Sequence, residues 1–147
     1  MTTKVDRVTA KFGGRENLNF QIERELLPHF EIMIEEPAQH RLRRLVTGAA
    51  TVNDIREVLE FAAPKGLGRD VPRPDKSSGG AHDILKMRLT LERMRPVSET
   101  FVAKVLKESP PLKYAVLAQG VLAAALLGIP EEASHFDEDE EANEDAA

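Results

Sequence analysis

Apolar and polar residues alternate over residues 5–22, on either side of a Gly13-Gly14 pair. The apolar positions recur at every second residue, at Val8, Ala10, Phe12, Leu18, Phe20 and Ile22. A period of two is typical of a half-buried strand, and a Gly-Gly pair supplies the turn of a hairpin. The pattern therefore predicts an N-terminal β-hairpin whose apolar face needs helices to cover it, because an isolated hairpin is marginally stable in water.

After this hairpin the period changes to that of short helices. Helices are predicted over about 27–36, 38–47 and 51–63, and helical patterns resume near residues 81 and 98. In the second helix, Leu42, Leu45 and Val46 are predicted to face inward. In the third, Thr51 and Asp54 approximate a capping box, which marks the first turn of a helix.

The longest apolar stretch, Ser109–Pro130, predicts a central helix. Ser109 can cap its first N–H groups, and Pro110 and Pro111 fit its first turn. Gly128 and Pro130 end it. Apolar residues lie on nearly every face, which is typical of a helix buried among other elements. The apolar part is shorter than the roughly 20 residues of a membrane span, so a core helix is favoured.

The composition favours helices over a β-sandwich. Aromatic residues make up only 5% of the 147 residues and Trp is absent, so aliphatic side chains must fill the core. We predict a mainly α fold (α+β), in which the N-terminal β-hairpin packs on a bundle of about five to six short helices. It forms one domain over residues 1–130 with a flexible Pro- and Gly-rich loop at 64–80, followed by an acidic disordered C-terminal tail at 131–147.

The net charge of −5 is distributed unevenly. Nine of the 25 acidic residues, and no Lys or Arg, lie in 131–147, which leaves 16 acidic and 20 basic residues in the remainder. An acidic tail therefore follows a mildly basic body. The tail is expected to keep the protein soluble, or to cover a basic face until a partner displaces it.

No residue pattern in the chain is typical of catalysis or metal binding. Cys is absent, which excludes disulfides and thiol catalysis, and the four His residues are too widely spaced to suggest convergent ligands. Neither Gly pair has the spacing of a phosphate-binding loop, and the N-terminus lacks the apolar segment of a secretory signal. We expect a cytoplasmic, non-enzymatic protein without cofactor, metal or membrane span.

Basic residues cluster in two parts of the chain. Arg41 and Arg44 share one face of the predicted second helix, and Arg88 and Arg95 belong to a later basic group. Such residues can contact phosphates, but the positive excess is small and no aromatic residues interleave for base stacking. A solvated helical face is favoured over nucleic-acid binding, and a docking surface for an acidic partner is a third interpretation.

The order of these features resembles the small tail assembly chaperones of gene transfer agents and related tailed phages, a family also labelled gene transfer agent tail tube proteins. The resemblance extends from about Val8 to Glu132. It rests on the hairpin turn Phe12-Gly13-Gly14-Arg15, on Leu42-Arg-Arg-Leu45, on Val52-Asn-Asp-Ile55-Arg-Glu-Val58-Leu59 and on the Leu-rich helix from Leu122 to Gly128. The longer loop at 64–80 and the acidic tail depart from the family pattern.

The resemblance implies a non-enzymatic role in building a phage-like tail, in which the chain binds the tape measure protein, the tail tube protein or both. We expect the hairpin and the 64–95 region to provide partner surfaces, while residues 98–129 serve as core. The candidate partner-binding residues are Phe12, Arg15, Arg41, Arg44, Arg88 and Arg95. Two alternatives stay open: a structural tube or connector subunit retained in the particle, and a small helical regulator that binds nucleic acid. Homo-oligomerisation is also left open.

Overall fold

The computed structural model describes residues 3–69 and 99–139, which form five strands and five α-helices. The strands are β1 (Lys4–Val5), β2 (Arg7–Phe12), β3 (Arg15–Gln21), β4 (Ile129–Pro130) and β5 (His135–Asp137). The α-helices are α1 (Leu27–Ile34), α2 (Ala38–Thr47), α3 (Val52–Ala62), α4 (Phe101–Lys107) and α5 (Ala115–Leu127). Single turns of 3₁₀ helix at Arg24–Leu26 and Glu131–Ala133 connect some of these elements.

The predicted N-terminal hairpin is confirmed by β2 and β3, which pair antiparallel. Gly13 and Gly14 form its two-residue turn with φ angles of 61° and 81°, a left-handed pair that glycine adopts without steric cost. Val8, Ala10 and Phe12 are all buried. The period of two therefore identified both the strand and its inward face.

The predicted fold class is wrong, because the sheet content extends beyond this hairpin. β5 pairs parallel to β2 and gives a three-stranded sheet in the order β3-β2-β5. β1 and β4 pair antiparallel in a separate two-stranded sheet. The described residues thus form a small α+β fold with two sheets. β1, β4 and β5 have only two or three residues each, which is too short for an alternating pattern to be recognised.

The predicted disorder of the acidic tail is also wrong for residues 131–139, which contain a 3₁₀ turn and β5. Residues 140–147 lie outside the described residues, as do the helical pattern near residue 81 and the loop prediction from residue 70 onward. The first part of that loop is bonded to helices. The Arg69 N–H donates to the Glu60 carbonyl at 2.8 Å, and the Val102 N–H donates to the Leu67 carbonyl at 3.1 Å.

The predicted central helix is present as α5, which contacts α2, α3 and the β2–β3 hairpin. Its buried residues are Leu117, Ala118, Val121, Leu122 and Ala124. The predicted cap at Ser109 is wrong by five residues, because the helix is preceded by Tyr114. The Ser109 hydroxyl donates to the Val105 carbonyl at 2.7 Å, so it completes the end of α4, and Pro110 and Pro111 lie in the connection before Ala115.

The predicted α2 and α3 are present. Leu45 is buried and Leu42 packs against the core as predicted, but Val46 does not face inward, and two residues that do were missed. Ala38, Arg41 and Leu45 are buried, whereas Val46 is 59% exposed. The inward residues recur at helical spacing, so the error lies in the assumption that a buried position must be apolar. The capping box of α3 is confirmed, since Thr51 and Asp54 exchange side-chain-to-backbone hydrogen bonds at 2.9 and 3.1 Å.

Candidate functional site

Arg41 lies in a buried cluster of charged side chains between α2 and α3. Its guanidinium donates to Glu36 at 2.8 Å and to the backbone carbonyl of Asp54 at 3.3 Å. The Glu57 carboxylate is 3.2 Å away. The Arg41 side chain is only 3% exposed, so the expectation of a solvated basic face is wrong at this position. Its ion pairs connect α2 to α3 and to Glu36, the second residue after α1.

Arg44 completes this cluster from the next turn of α2. Its two terminal nitrogens each lie 2.6 Å from a carboxylate oxygen of Glu36, and it also bonds Asp54 at 3.1 and 3.2 Å. Hydrogen bonding to Arg44 lowers the pKa of Glu36 below its ordinary value, although burial opposes this. Burial raises the pKa of Asp54, but bonds from Arg44 and the Thr51 N–H outweigh it, so the net shift is downward. Both arginines are therefore neutralised within the fold.

The hairpin residues predicted to meet a partner have different positions. Phe12 is 0% exposed and packs against Phe20 and Tyr114, with ring centres 5.4 and 4.7 Å away. Arg15 is exposed, and its guanidinium lies 4.5 Å from the centre of the Phe101 ring. Phe12 is thus a core residue, and Arg15 remains at the surface beside the turn. The other two predicted residues, Arg88 and Arg95, lie outside the described residues.

An exposed row of apolar side chains runs along α5, a feature that the sequence-based prediction of an all-round buried helix missed. Val116 is 68% exposed and Leu127 is 69% exposed, with the half-buried Ala123 between them. At 100° and 1.5 Å per residue, these three lie within about 40° of one another and span about 17 Å. Leu112, which is 56% exposed, precedes them by one turn. We call Val116, Ala123 and Leu127 the α5 row.

The second surface feature is a carboxylate held at the hairpin turn. The N–H groups of Gly13 and Gly14 donate to the two oxygens of Glu138 at 2.9 and 2.8 Å. Successive N–H groups in such a turn form a concave site for an anion. The Tyr114 hydroxyl donates to the same carboxylate at 2.5 Å. Three donors from two distant parts of the chain therefore converge on Glu138.

The electrostatics of Glu138 follow from these contacts. Burial raises the pKa of Glu138, but the Tyr114 hydroxyl and the two glycine N–H groups favour the ionised form. The charge of Lys113 acts in the same direction, so the net pKa is below the ordinary value. The residues on either side of Glu138 reinforce its position. Phe136 approaches Tyr114 with ring centres 6.1 Å apart, and Asp139 forms an ion pair with Lys11.

An open polar cavity of about 250 Å³ lies on the other side of β2, among β2, β3 and β5. Its polar lining includes Lys11, Glu16, Asn17, His135 and Asp137. Within residues 3–69 and 99–139, no group of His, Cys, Asp or Glu is arranged to hold a metal ion. The cavity lining combines a cation, two carboxylates and neutral residues and has no single chemical preference, so the α5 row and the Glu138 site are the stronger candidates.

The described part of the chain contains no helix long and apolar enough to cross a membrane. Comparisons with protein-family models, with curated proteins and with solved structures find no match. We therefore infer the function from the chain's own residues and surfaces.

Proposed function

We propose that this protein is a non-enzymatic assembly chaperone for a phage-like tail, which binds the tape measure protein, the tail tube protein or both. The sequence resemblance between about Val8 and Glu132 suggests this class. The observation that carries the proposal is the α5 row, because exposed apolar side chains on one face of a helix are a typical protein-binding surface. The protein acts in the cytoplasm of the bacterial host, where tails are assembled.

The α5 row suits the apolar face of an amphipathic helix. A tape measure protein is long and helical, and its apolar faces are exposed until tube subunits surround it. A helix laid along α5 would bury Val116 and Leu127 against apolar residues at helical spacing on the partner. The row spans only about three turns, so the contact is small enough to be released when tube subunits replace it.

The alternative of a nucleic-acid-binding regulator loses its main support. Of the basic residues that suggested phosphate contacts, Arg41 and Arg44 are both engaged by Glu36 and Asp54. Arg88 and Arg95 lie outside the described residues. An arginine that already bonds two carboxylates offers little free charge to a phosphate backbone. We therefore retain protein binding as the proposed activity.

The test compares two double variants in cells that produce phage-like tail particles. In V116E/L127E both ends of the α5 row become charged. In V46E/V52E two exposed apolar residues on α2 and α3, at 59% and 38% exposure, receive the same charges outside the row. Tagged proteins are recovered from cleared lysates, and the eluates and purified particles are analysed by mass spectrometry.

We expect tape measure or tail tube protein to copurify with the wild type and with V46E/V52E, and to be lost from V116E/L127E. We also expect the protein to be missing from finished particles. Equal copurification with both double variants would remove the α5 row as the binding surface. Stoichiometric copies in the particles would instead identify a structural subunit, and recovery of neither tail protein would overturn the proposal.

A further inference from the structure

One edge of β2 is filled by the chain's own C-terminal residues. β5 pairs with Thr9, Ala10 and Lys11 of β2, and the Thr9 N–H also donates to the Ser134 carbonyl at 2.8 Å. We call residues 134–139 the clasp segment. The surface beneath it, comprising the β2 edge with Lys11, the Gly13 and Gly14 amides and Tyr114, is the clasp site.

The clasp site has a definite chemical preference. The backbone edge accepts any extended segment, whereas the Gly13 and Gly14 amides and the Tyr114 hydroxyl select a carboxylate. Phe136, two residues before that carboxylate, lies against the Tyr114 ring, and Asp139 follows it beside Lys11. The selected pattern is thus an aromatic residue, any residue, and then two acids.

The clasp segment is attached through few and peripheral contacts. β5 pairs with three of the six residues of β2, and most of its further bonds come from Glu138 and Asp139, near the end of the described chain. The hydrophobic contribution to the attachment of the clasp segment comes mainly from the half-buried Phe136. A short edge strand of this kind opens at a lower free energy than the hairpin that it covers.

We propose that the clasp site is a binding site for an extended acidic segment of a partner protein, which the clasp segment occupies until the partner displaces it. The partner strand adds to β2 and places a carboxylate on the Gly13 and Gly14 amides. A second copy of this chain is disfavoured as the occupant, because its clasp segment offers only the contacts that are already made within one copy. This inference does not rest on the role in tail assembly, since it uses a different surface.

The test measures binding of a fluorescein-labelled peptide with the sequence of residues 133–139 to the full-length protein. In E138Q the carboxylate of the internal segment is lost, so the internal segment competes less well with the peptide. An internal segment acts at an effective concentration in the millimolar range, so we expect E138Q to bind the peptide at least about tenfold more tightly than the wild type does. A peptide that carries Gln in place of Glu138 should bind E138Q weakly.

Three results would overturn the proposal. The first is the absence of peptide binding by an E138Q protein that circular dichroism shows to be folded. F136A, which weakens the internal segment by removing a different contact, is tested in parallel. The second is hydrogen exchange at residues 135–137 as slow as at Val8 and Phe20 in the wild type, because the segment would then not open locally. The third is a concentration-dependent wild-type dimer in sedimentation that the peptide dissociates, because a second copy would then be the occupant.

Discussion

At the scale of single residues, the environment of Arg41 is the hardest to predict from the sequence. Three carboxylates and a backbone carbonyl surround its guanidinium, and its side chain is 3% exposed. A buried ion pair adds little stability relative to an apolar pair, but removal of one partner leaves the opposite charges buried and uncompensated. Arg41 is therefore a residue whose loss the fold tolerates poorly.

We expect R41M to lower the free energy of unfolding by about 3–5 kcal/mol, the range for breaking a buried ion pair. The measurement is urea unfolding followed by circular dichroism at neutral pH. The matched control is R43M, which changes an exposed arginine on the same helix and should stay within about 0.5 kcal/mol of the wild type. Similar losses in both variants would contradict the buried position of Arg41.

At the scale of elements, the start of α3 is fixed by a local motif. The Thr51 hydroxyl accepts from the Asp54 N–H, and the Asp54 carboxylate accepts from the Thr51 N–H. The same carboxylate binds Arg44, so the first turn of α3 and the last turns of α2 share one acidic residue. A motif visible in four residues of sequence thus also connects two helices.

We expect T51A to destabilise the protein by about 1 kcal/mol, the usual cost of losing a capping side chain. Thr47 provides the control, because its hydroxyl donates back to the Arg43 and Arg44 carbonyls within α2 and caps no helix start. T47A should change the free energy of unfolding by less than about 0.5 kcal/mol. Thermal unfolding of the three proteins under one buffer condition is sufficient, and a larger effect for T47A would argue against the capping box.

The attachment of β5 should depend on pH through Glu138. The pKa of Glu138 in the folded protein lies below its ordinary value of 4.5, so its contribution to stability is present above pH 4.5. That contribution is lost as the pH falls through the lowered pKa, because the protonated carboxyl no longer accepts from all three donors. Attachment of β5 therefore weakens on the acidic side of pH 4.5.

Tyrosine fluorescence measures this transition directly, since Tyr114 is the chain's single Tyr and Trp is absent. We expect the wild type to show a fluorescence change with a midpoint below pH 4.5, the ordinary pKa of this carboxyl. E138Q should lack that change, although acid unfolding driven by Glu36 and Asp54 remains in both proteins. A transition of equal size in E138Q would assign it to another group.

Parts of the fold that repeat a period were predictable, and parts that depend on distant pairing were not. Six alternating positions identified the β2–β3 hairpin, and Thr51 with Asp54 identified the start of α3. β5 was not predicted because its three residues lie in an acidic stretch whose composition is typical of disordered chain, and because its partner strand is far away in sequence. Nothing local in Gly13-Gly14 indicates that a carboxylate near residue 138 will occupy its amides.

The candidate surfaces were less predictable still. Periodicity shows which residues share a face of a helix. Because α5 is apolar on nearly every face, periodicity could not identify the face that the other elements leave exposed. Phe12 was expected at a partner surface as part of the hairpin, and Arg41 as part of a basic cluster, but both are buried. Arg15 alone of the four described candidates is fully at the surface.

At the scale of the whole molecule, the described residues combine an apolar core with one largely buried charge cluster and one exposed apolar row. A cluster of ionised groups lies between α2 and α3, and large apolar side chains lie on the outside of α5. The exposed apolar residues contribute little to folding because they remain in water. They can therefore change without loss of the fold.

We expect V116E/L127E to retain a free energy of unfolding within about 1 kcal/mol of the wild type, since both side chains are largely exposed. Urea unfolding of this variant, with V46E/V52E in parallel, gives the comparison. The result determines how the binding experiment is interpreted. A folded V116E/L127E variant that fails to recover tail proteins has lost a binding surface, whereas an unfolded one would show that α5 needs these residues for packing.

The parallel pairing of β5 with β2 also orders events during protein synthesis. Gly13 and Glu138 are 125 residues apart, whereas β2 and β3 are joined by two residues, so the ribosome completes the hairpin long before β5 exists. Contacts between distant residues form late in folding because loop closure must precede them. Until residues 135–137 are synthesised, the β2 edge has no β5 to pair with, and any strand that reaches this edge first competes with β5 by timing as well as by affinity.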